Sequence, residues 1–150
     1  MNWIDANARF SQEHERLFAD GEIIFPEGDE GRELYLIQEG AVEIFKETPV
    51  GRLRLALFQK GAFFGEMALL QSIPRYAGAK AVGTTRLLIL QPGGFLLKIR
   101  RDPTLAFEML QQLSHRIKGT NDRLLDFLKR TNMPLEQIQE ILNEYDGVKK

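Results

Sequence analysis

Short apolar runs separated by turn-forming residues dominate the sequence between residues 21 and 92, and they restrict the fold more than any other feature. The runs cover residues 22–25, 33–37, 41–45, 52–57 and 86–90. Glycine, proline and aspartate between the runs indicate turns. Short strands at such close spacing predict a sandwich or barrel, because closing or doubling a sheet protects its edges. We therefore predict a mainly β fold with flanking helices, in which residues 21–92 form one β-roll.

The segments on either side of the predicted roll carry helical patterns. Residues 1–20 predict a short N-terminal helix with apolar side chains that can dock on the core. Residues 94–130 predict a hinge of one or two helical turns over 94–101 and then a long helix, with Asp102 as N-cap and Pro103 at its first position. Residues 132–150 predict a short terminal helix and a polar tail, which leaves residues 1–131 as one domain.

The predicted long helix carries the alternating spacing of three and four residues that a coiled-coil seam requires. The seam consists of Phe107, Leu110, Ser114, Ile117, Asn121, Leu124 and Leu128. This pattern favours a partner helix and predicts a homodimer. Packing of the same stripe on the β-roll is the alternative, because any amphipathic helix has similar spacing.

Length, charge and cysteine content limit the function classes. The chain has 150 residues, with 20 Lys and Arg against 21 Asp and Glu. This balance gives no long-range attraction to nucleic acid or to an anionic membrane, so we expect neither as a partner. The absence of cysteine excludes disulfides, thiolate metal sites and thiol catalysis. The sequence has neither a signal peptide nor a run that could span a membrane, and we expect a cytoplasmic protein.

One acidic and one basic residue stand out in residues 63–81, a segment otherwise rich in apolar and small residues. Burying either charge without a partner costs several kcal/mol. A ligand that carries a hydroxyl and a phosphate would satisfy both Glu66 and Arg75. The alternative is a salt bridge between them that pins a loop.

Residues 64–70 (FGEMALL) and 74–77 (PRYA) resemble the phosphate-binding cassette of cyclic nucleotide-binding domains, as in cAMP receptor proteins and protein kinase A regulatory subunits. The resemblance extends to residues 27–29 and 34–44, and covers roughly residues 15–130. It implies the double-stranded β-helix of that family, a jelly-roll-like β-roll, followed by a long C-terminal helix.

Within the cassette, Gly65 has no side chain, so that backbone N–H groups can approach an anion closely. The resemblance implies that Glu66 accepts a ribose 2′-hydroxyl. Arg75 offers a planar fork to the phosphate oxygens. The predicted ligand-binding residues of this segment are Gly65, Glu66, Met67, Ala68, Leu69, Arg75, Tyr76 and Ala77.

Two residues depart from the family pattern. Tyr76 replaces the small residue that the family often has there, and its phenol could hydrogen-bond, stack or crowd the pocket. Gly78 replaces a β-branched or hydroxyl residue, which removes one potential polar contact. Because no Ser or Thr occupies position 76, the pattern favours cAMP as the ligand, with cGMP as the alternative.

In cAMP receptor proteins the long helix also contacts the adenine, and residues 116–121 align with that stretch without a gap from Arg75. The resemblance therefore implies that Thr120 and Asn121 contact the base. Asn121 could instead fix the register between two helices, since polar seam residues do so. Thr120 could equally be an ordinary exposed helix position.

The same residues argue against an enzyme. His14 and His115 lie on predicted helices outside the roll, which gives no support for a metal site, and no residue resembles an activated nucleophile. Because few residues follow the long helix, we expect no DNA reader. We therefore expect a stand-alone sensor of a cyclic nucleotide, without a cofactor, that signals to an unidentified protein partner. The alternative is a ligand-free interaction module in which Tyr76 fills a degenerate pocket.

Overall fold

A computed structural model describes residues 13–147 as an antiparallel sheet followed by helices. The strands are β1 (Glu13–Phe18), β2 (Ile23–Phe25), β3 (Leu34–Thr48), β4 (Gly51–Gln59), β5 (Phe63–Phe64) and β6 (Gly78–Leu90). The helices are α1 (Glu66–Gln71), α2 (Pro92–Arg101), α3 (Pro103–Thr131) and α4 (Leu135–Tyr145). This architecture confirms the predicted mainly β fold with flanking helices and a long helix after the roll.

The two long strands, β3 and β6, form the centre of the sheet. The strand order is β1-β6-β3-β4, and the short strands β2 and β5 pair with β6 and β3. The pairing of β3 with β6 runs from Leu34↔Leu90 to Phe45↔Gly78 and shifts register on either side of Glu39. Gly40 next to this shift has a φ of 85°. A Cβ there would lie 2.5 Å from the Thr84 carbonyl oxygen, so glycine lets the two strands meet.

The helix predicted for residues 1–20 is wrong over the part of that segment that the structure describes. Residues 13–18 form β1, which pairs antiparallel with β6 from Glu13↔Leu90 to Phe18↔Thr85. Phe18 is buried in the core. Hydrogen bonding to β6 therefore outweighs the local helical pattern, and residues 13–18 belong to the roll. Residues 1–12 of the predicted helix lie outside the described residues.

An aromatic cluster in the core fixes the strand that leads into the predicted cassette. Tyr35 stacks on Phe64 with ring centroids 5.0 Å apart. Phe25 lies 5.5 Å from Tyr35 and 6.0 Å from Phe64. The cluster thus joins β2, β3 and β5 immediately before Gly65. The core also contains Phe18, Ile37, Val42, Ala79, Ala81, Leu87 and Ile89.

The described chain divides into two compact units, and the division falls within α3 between Phe107 and Glu108. Asp102 separates α2 from α3, and its Oδ1 accepts a hydrogen bond from the Thr104 N–H at 3.1 Å. This bond confirms the predicted N-cap. The predicted domain boundary between residues 131 and 132 stays a prediction. Among residues 13–147, no helix has the length and apolar character needed to cross a membrane.

Candidate functional site

The cassette begins with a tight turn at Gly65. This residue has a φ of 86° and links β5 to α1, whose first residue is Glu66. A Cβ at Gly65 would lie 2.9 Å from Nη1 of Arg75 and 2.9 Å from the carbonyl oxygen of Glu33. Both the backbone conformation and the close approach require glycine. The turn therefore brings Arg75 against the start of the cassette.

The Arg75 side chain is only 2% exposed and is held by oxygen acceptors on two segments. Its Nη1 donates to the Gly65 carbonyl oxygen at 2.9 Å. Its Nη2 donates to the Glu33 carbonyl oxygen at 2.9 Å and to the Glu33 carboxylate at 3.1 Å. The predicted burial of Arg75 is confirmed, and its charge is balanced by Glu33.

Aromatic rings surround the Arg75 guanidinium, and its Nε is not hydrogen-bonded to any residue that the structure describes. The guanidinium carbon lies 4.2 Å from the ring centroid of Phe25 and 5.7 Å from that of Tyr35. Burial raises the pKa of the Tyr35 phenol, and the nearby Glu33 carboxylate raises it further, so Tyr35 stays neutral beside the cation. Nε of Arg75 is buried without a hydrogen-bond partner among residues 13–147. Since buried donors are normally paired, this atom suits an oxyanion acceptor.

Backbone hydrogen bonds fix the Arg75 segment to the loop after β2. The Arg75 N–H donates to the Asp29 carbonyl oxygen at 2.8 Å, and the Gly28 N–H donates to the Arg75 carbonyl oxygen at 2.8 Å. The guanidinium therefore extends from a backbone that is held on both sides. Such support is what positions a binding side chain accurately.

Glu33 is the residue that the sequence analysis missed. It immediately precedes β3 and supplies both a backbone and a side-chain acceptor to Arg75. A signal was present, because a buried arginine needs a carboxylate partner and Glu33 lies in a segment that the resemblance covers. Spacing in the sequence could not identify which of the many acids would fill that role.

The other predicted cassette residues lie around the same turn. Glu66, Met67 and Leu69 are half-buried in α1, and Ala68 is buried. Ala77 is buried directly after Arg75 and Tyr76. The structure thus brings the predicted residues 65–69 and 75–77 into one region of the first compact unit. Their contacts with a ligand stay predictions.

Tyr76 is 52% exposed, so its ring does not fill the interior of the roll. The Nζ of Lys46 lies 3.9 Å from the centroid of that ring, as in a cation–π contact. The same Nζ is 2.7 Å from the Glu27 carboxylate. The hydrogen bond from Lys46 lowers the pKa of Glu27. Tyr76 is therefore held by a charged neighbour on β3.

Gly78 leaves space that Phe45 occupies. The two residues are paired across β6 and β3. A Cβ at Gly78 would lie 2.5 Å from Cε2 of the Phe45 ring, and the Arg52 guanidinium lies 4.1 Å from the centroid of that ring. The departure from the family pattern at Gly78 thus accompanies a large side chain on the neighbouring strand.

Thr120 and Asn121 lie on α3, in the second compact unit, and both are exposed. The Thr120 hydroxyl donates to the Arg116 carbonyl oxygen at 2.9 Å, a common bond for a threonine within a helix. The predicted contact of these two residues with a base stays a prediction.

Comparison with known proteins identifies similar sequences and folds. Residues 15–102 match the family described as the cyclic nucleotide-binding domain. A cyclic AMP receptor protein of Thermus thermophilus is 41% identical over 114 residues, which are 75% of this chain and 52% of that protein. The chain therefore spans about half the length of that relative.

Two solved structures extend the comparison. The catabolite activator protein of Thermus thermophilus aligns with a TM-score of 0.67 and 37% identity, over 84% of this chain and 59% of that one. A cyclic nucleotide-binding domain from Methylobacillus flagellatus aligns with a TM-score of 0.68 and 25% identity, over 84% of this chain and 74% of that one.

Proposed function

The chain belongs to the cyclic nucleotide-binding domain family, and from that premise we propose that it binds 3′,5′-cyclic AMP as a regulatory, non-catalytic module. The proposal rests on the buried guanidinium of Arg75, whose Nε has no hydrogen-bond partner among residues 13–147. A cyclic phosphodiester offers an anionic oxygen acceptor for this Nε.

The cassette supplies the rest of the proposed site. In the turn at Gly65 the absence of a side chain lets the phosphate approach the backbone N–H groups of residues 66–68. Glu66, at the first position of α1, accepts the ribose 2′-hydroxyl. A deoxyribose lacks the hydroxyl that would donate to that carboxylate, which weakens binding. Thr120 and Asn121 contact the base.

The choice of cAMP over cGMP rests on position 76 and on the relatives. Tyr76 offers no small hydroxyl for a guanine base, and its ring is held by Lys46. A relative 41% identical to the chain is a cyclic AMP receptor protein. Both observations favour adenine, and preferential binding of cGMP would contradict this part of the proposal.

The test is isothermal titration of nucleotide-stripped protein with cAMP and cGMP in parallel. We expect saturable binding of cAMP, tighter than that of cGMP. Arg75→Ala removes the fork and should cost about 2 to 5 kcal/mol of binding free energy, the range for truncating one member of a buried charge pair. Arg32→Ala is the matched control, since it removes an exposed arginine close in sequence to Glu33 and should bind as the wild type does.

The rival function is a ligand-free interaction module whose pocket Tyr76 fills. The exposure of Tyr76 argues against it, because a pocket-filling side chain would be buried. No heat from either nucleotide, together with no thermal stabilisation at millimolar concentration, would favour the rival. Equal binding by Arg75→Ala and wild type would contradict the assigned role of Arg75.

We also propose that the protein forms a homodimer through α3. Leu110, Ile117 and Leu124 follow one another at heptad spacing and are exposed, as unpaired seam residues would be. Covering this stripe with the same helix of a second copy removes apolar surface from water. In such a dimer, a ligand that prefers one helix arrangement shifts the equilibrium between arrangements, and an unidentified protein partner reads that shift.

A further inference from the structure

The Glu33 carboxylate occupies one edge of the Arg75 guanidinium. Its carboxylate oxygen Oε2 lies 3.1 Å from Nη2 of Arg75. The N–H donors of arginine lie in the plane of the guanidinium, so that an anion must reach its rim. Bidentate binding through the unpartnered Nε needs a second donor beside it, and Nη2 already donates to two acceptors of Glu33.

The remaining acceptors at this rim cannot move as Glu33 can. The carbonyl oxygens of Gly65 and Glu33 belong to a backbone held by β3, β5 and the turn between β5 and α1. The Glu33 side chain, in contrast, is 30% exposed. It is therefore the acceptor that can rotate away from Arg75 without a change of the backbone.

A second carboxylate lies next to this pair. Around the position of a Cβ on Gly31, Oε2 of Glu33 is at 2.8 Å, Oδ2 of Asp29 at 3.0 Å and Nη2 of Arg75 at 3.3 Å. The Gly31 N–H donates to Oδ2 of Asp29 at 3.2 Å. Two acids thus flank one buried cation, and a phosphate arriving there meets negative charge that Arg75 alone does not offset.

We propose that Glu33 is an internal competitor of the nucleotide phosphate for Arg75 and thereby sets the affinity of the site. This proposal rests on the proposed cyclic nucleotide binding. Glu33 stabilises the buried cation when no nucleotide is bound, and binding includes the displacement of its carboxylate. The opposite role is that Glu33 orients the guanidinium for the phosphate, and the two roles predict opposite effects of removing the charge.

The experiment compares Glu33→Gln with wild type by isothermal titration with cAMP. Glutamine keeps the size and an acceptor oxygen but removes the charge. We expect cAMP to bind about tenfold more tightly to Glu33→Gln, which corresponds to about 1.4 kcal/mol. Glu30→Gln is the matched control, because it removes one exposed negative charge from the same loop and should leave the affinity within about twofold of wild type.

Thermal unfolding supplies an independent readout. Without cAMP, Glu33→Gln should melt at a lower temperature than wild type, because a buried cation loses its counter-charge. The stabilisation by saturating cAMP should in turn be larger for the variant. If Glu33→Gln does not fold, Glu33→Asp replaces it, since the shorter side chain retracts the carboxylate from Nη2. A smaller gain in affinity, about threefold, is then expected.

The outcomes separate this proposal from the proposed function. Binding of cAMP by wild type with equal or weaker binding by Glu33→Gln overturns the competitor role and leaves cyclic nucleotide binding intact. Binding by the variant but not by wild type supports both. An equal gain in Glu30→Gln overturns the competitor role, because it attributes the effect to net charge. No binding by any of these proteins overturns both proposals.

Discussion

Replacing Gly65 with alanine tests whether the cassette turn requires both a left-handed backbone and a close contact. At a φ of 86°, a residue with a side chain costs about 1 to 2 kcal/mol. In addition, the new Cβ would lie 2.9 Å from both Nη1 of Arg75 and the carbonyl oxygen of Glu33. That crowding weakens the bond from Nη1 to the Gly65 carbonyl oxygen, and hydrogen bonds of charged groups contribute about 1.5 to 3 kcal/mol. We expect Gly65→Ala to lower the free energy of unfolding by about 3 to 5 kcal/mol.

Gly61→Ala separates the two effects. Gly61 has nearly the same φ, 89°, but no atom lies within 4 Å of the position of its Cβ. Its substitution should therefore cost only the backbone part, about 1 to 2 kcal/mol. Both variants are compared with wild type by guanidinium denaturation, using the free energy extrapolated to water and the slope as a check on two-state behaviour.

A loss of stability in Gly65→Ala no larger than that in Gly61→Ala would contradict this prediction, because it would mean that the close contact with Arg75 costs nothing. The two variants should also differ in cAMP binding. Gly65→Ala displaces the guanidinium and should weaken binding, whereas Gly61→Ala should not. Unchanged affinity in a folded Gly65→Ala protein would separate the turn from the ligand site.

Three further predictions follow from other contacts. Gly78→Ser should destabilise the fold by about 1 to 3 kcal/mol because its Cβ overlaps the Phe45 ring, and Phe45→Leu in the same chain should recover part of that loss in denaturant unfolding. Ile117→Lys places a charge in the proposed α3 seam and should convert a dimer to a monomer in sedimentation velocity; a wild type that sediments as a monomer at all concentrations would contradict the dimer. Hydrogen bonds from two basic side chains lower the pKa of Glu43, so the stabilisation by Glu43 is present above the ordinary pKa of 4.5 and is lost as the pH falls through the lower folded pKa. Glu43→Gln should flatten that part of the pH dependence of the unfolding free energy, and an unchanged slope would contradict this prediction.

The Glu43 prediction depends on an ion cluster that spans three strands. The Glu43 carboxylate lies 2.7 Å from Nε of Arg54 and 3.0 Å from Nζ of Lys80. These residues belong to β3, β4 and β6, so the cluster ties both neighbours of β3 to that strand. The pairing of Phe45 with Gly78 lies two residues further along the same strand.

Much of the fold could be predicted from local signals. Alternation over residues 41–45 and 52–57 predicted strands that the structure extends into β3 and β4. The capping signal of Asp102 and Pro103 located the start of α3, because a cap depends on residues adjacent in sequence. The segment at residues 13–18 was mispredicted, since its strand forms only by pairing with β6, more than sixty residues away.

The candidate site also has one part that local sequence predicts and another that depends on contacts between distant residues. The glycine turn, Glu66 and Arg75 could be predicted as a candidate site from the sequence, because these residues lie close together in a segment that resembles one family. The pairing of Arg75 with Glu33, 42 residues earlier in the chain, and the position of the Phe45 ring beside Gly78 depend on tertiary contacts. A buried charge needs a partner, which sequence reasoning can state. Which residue provides that partner depends on how β3, β5 and the turn before α1 meet in space.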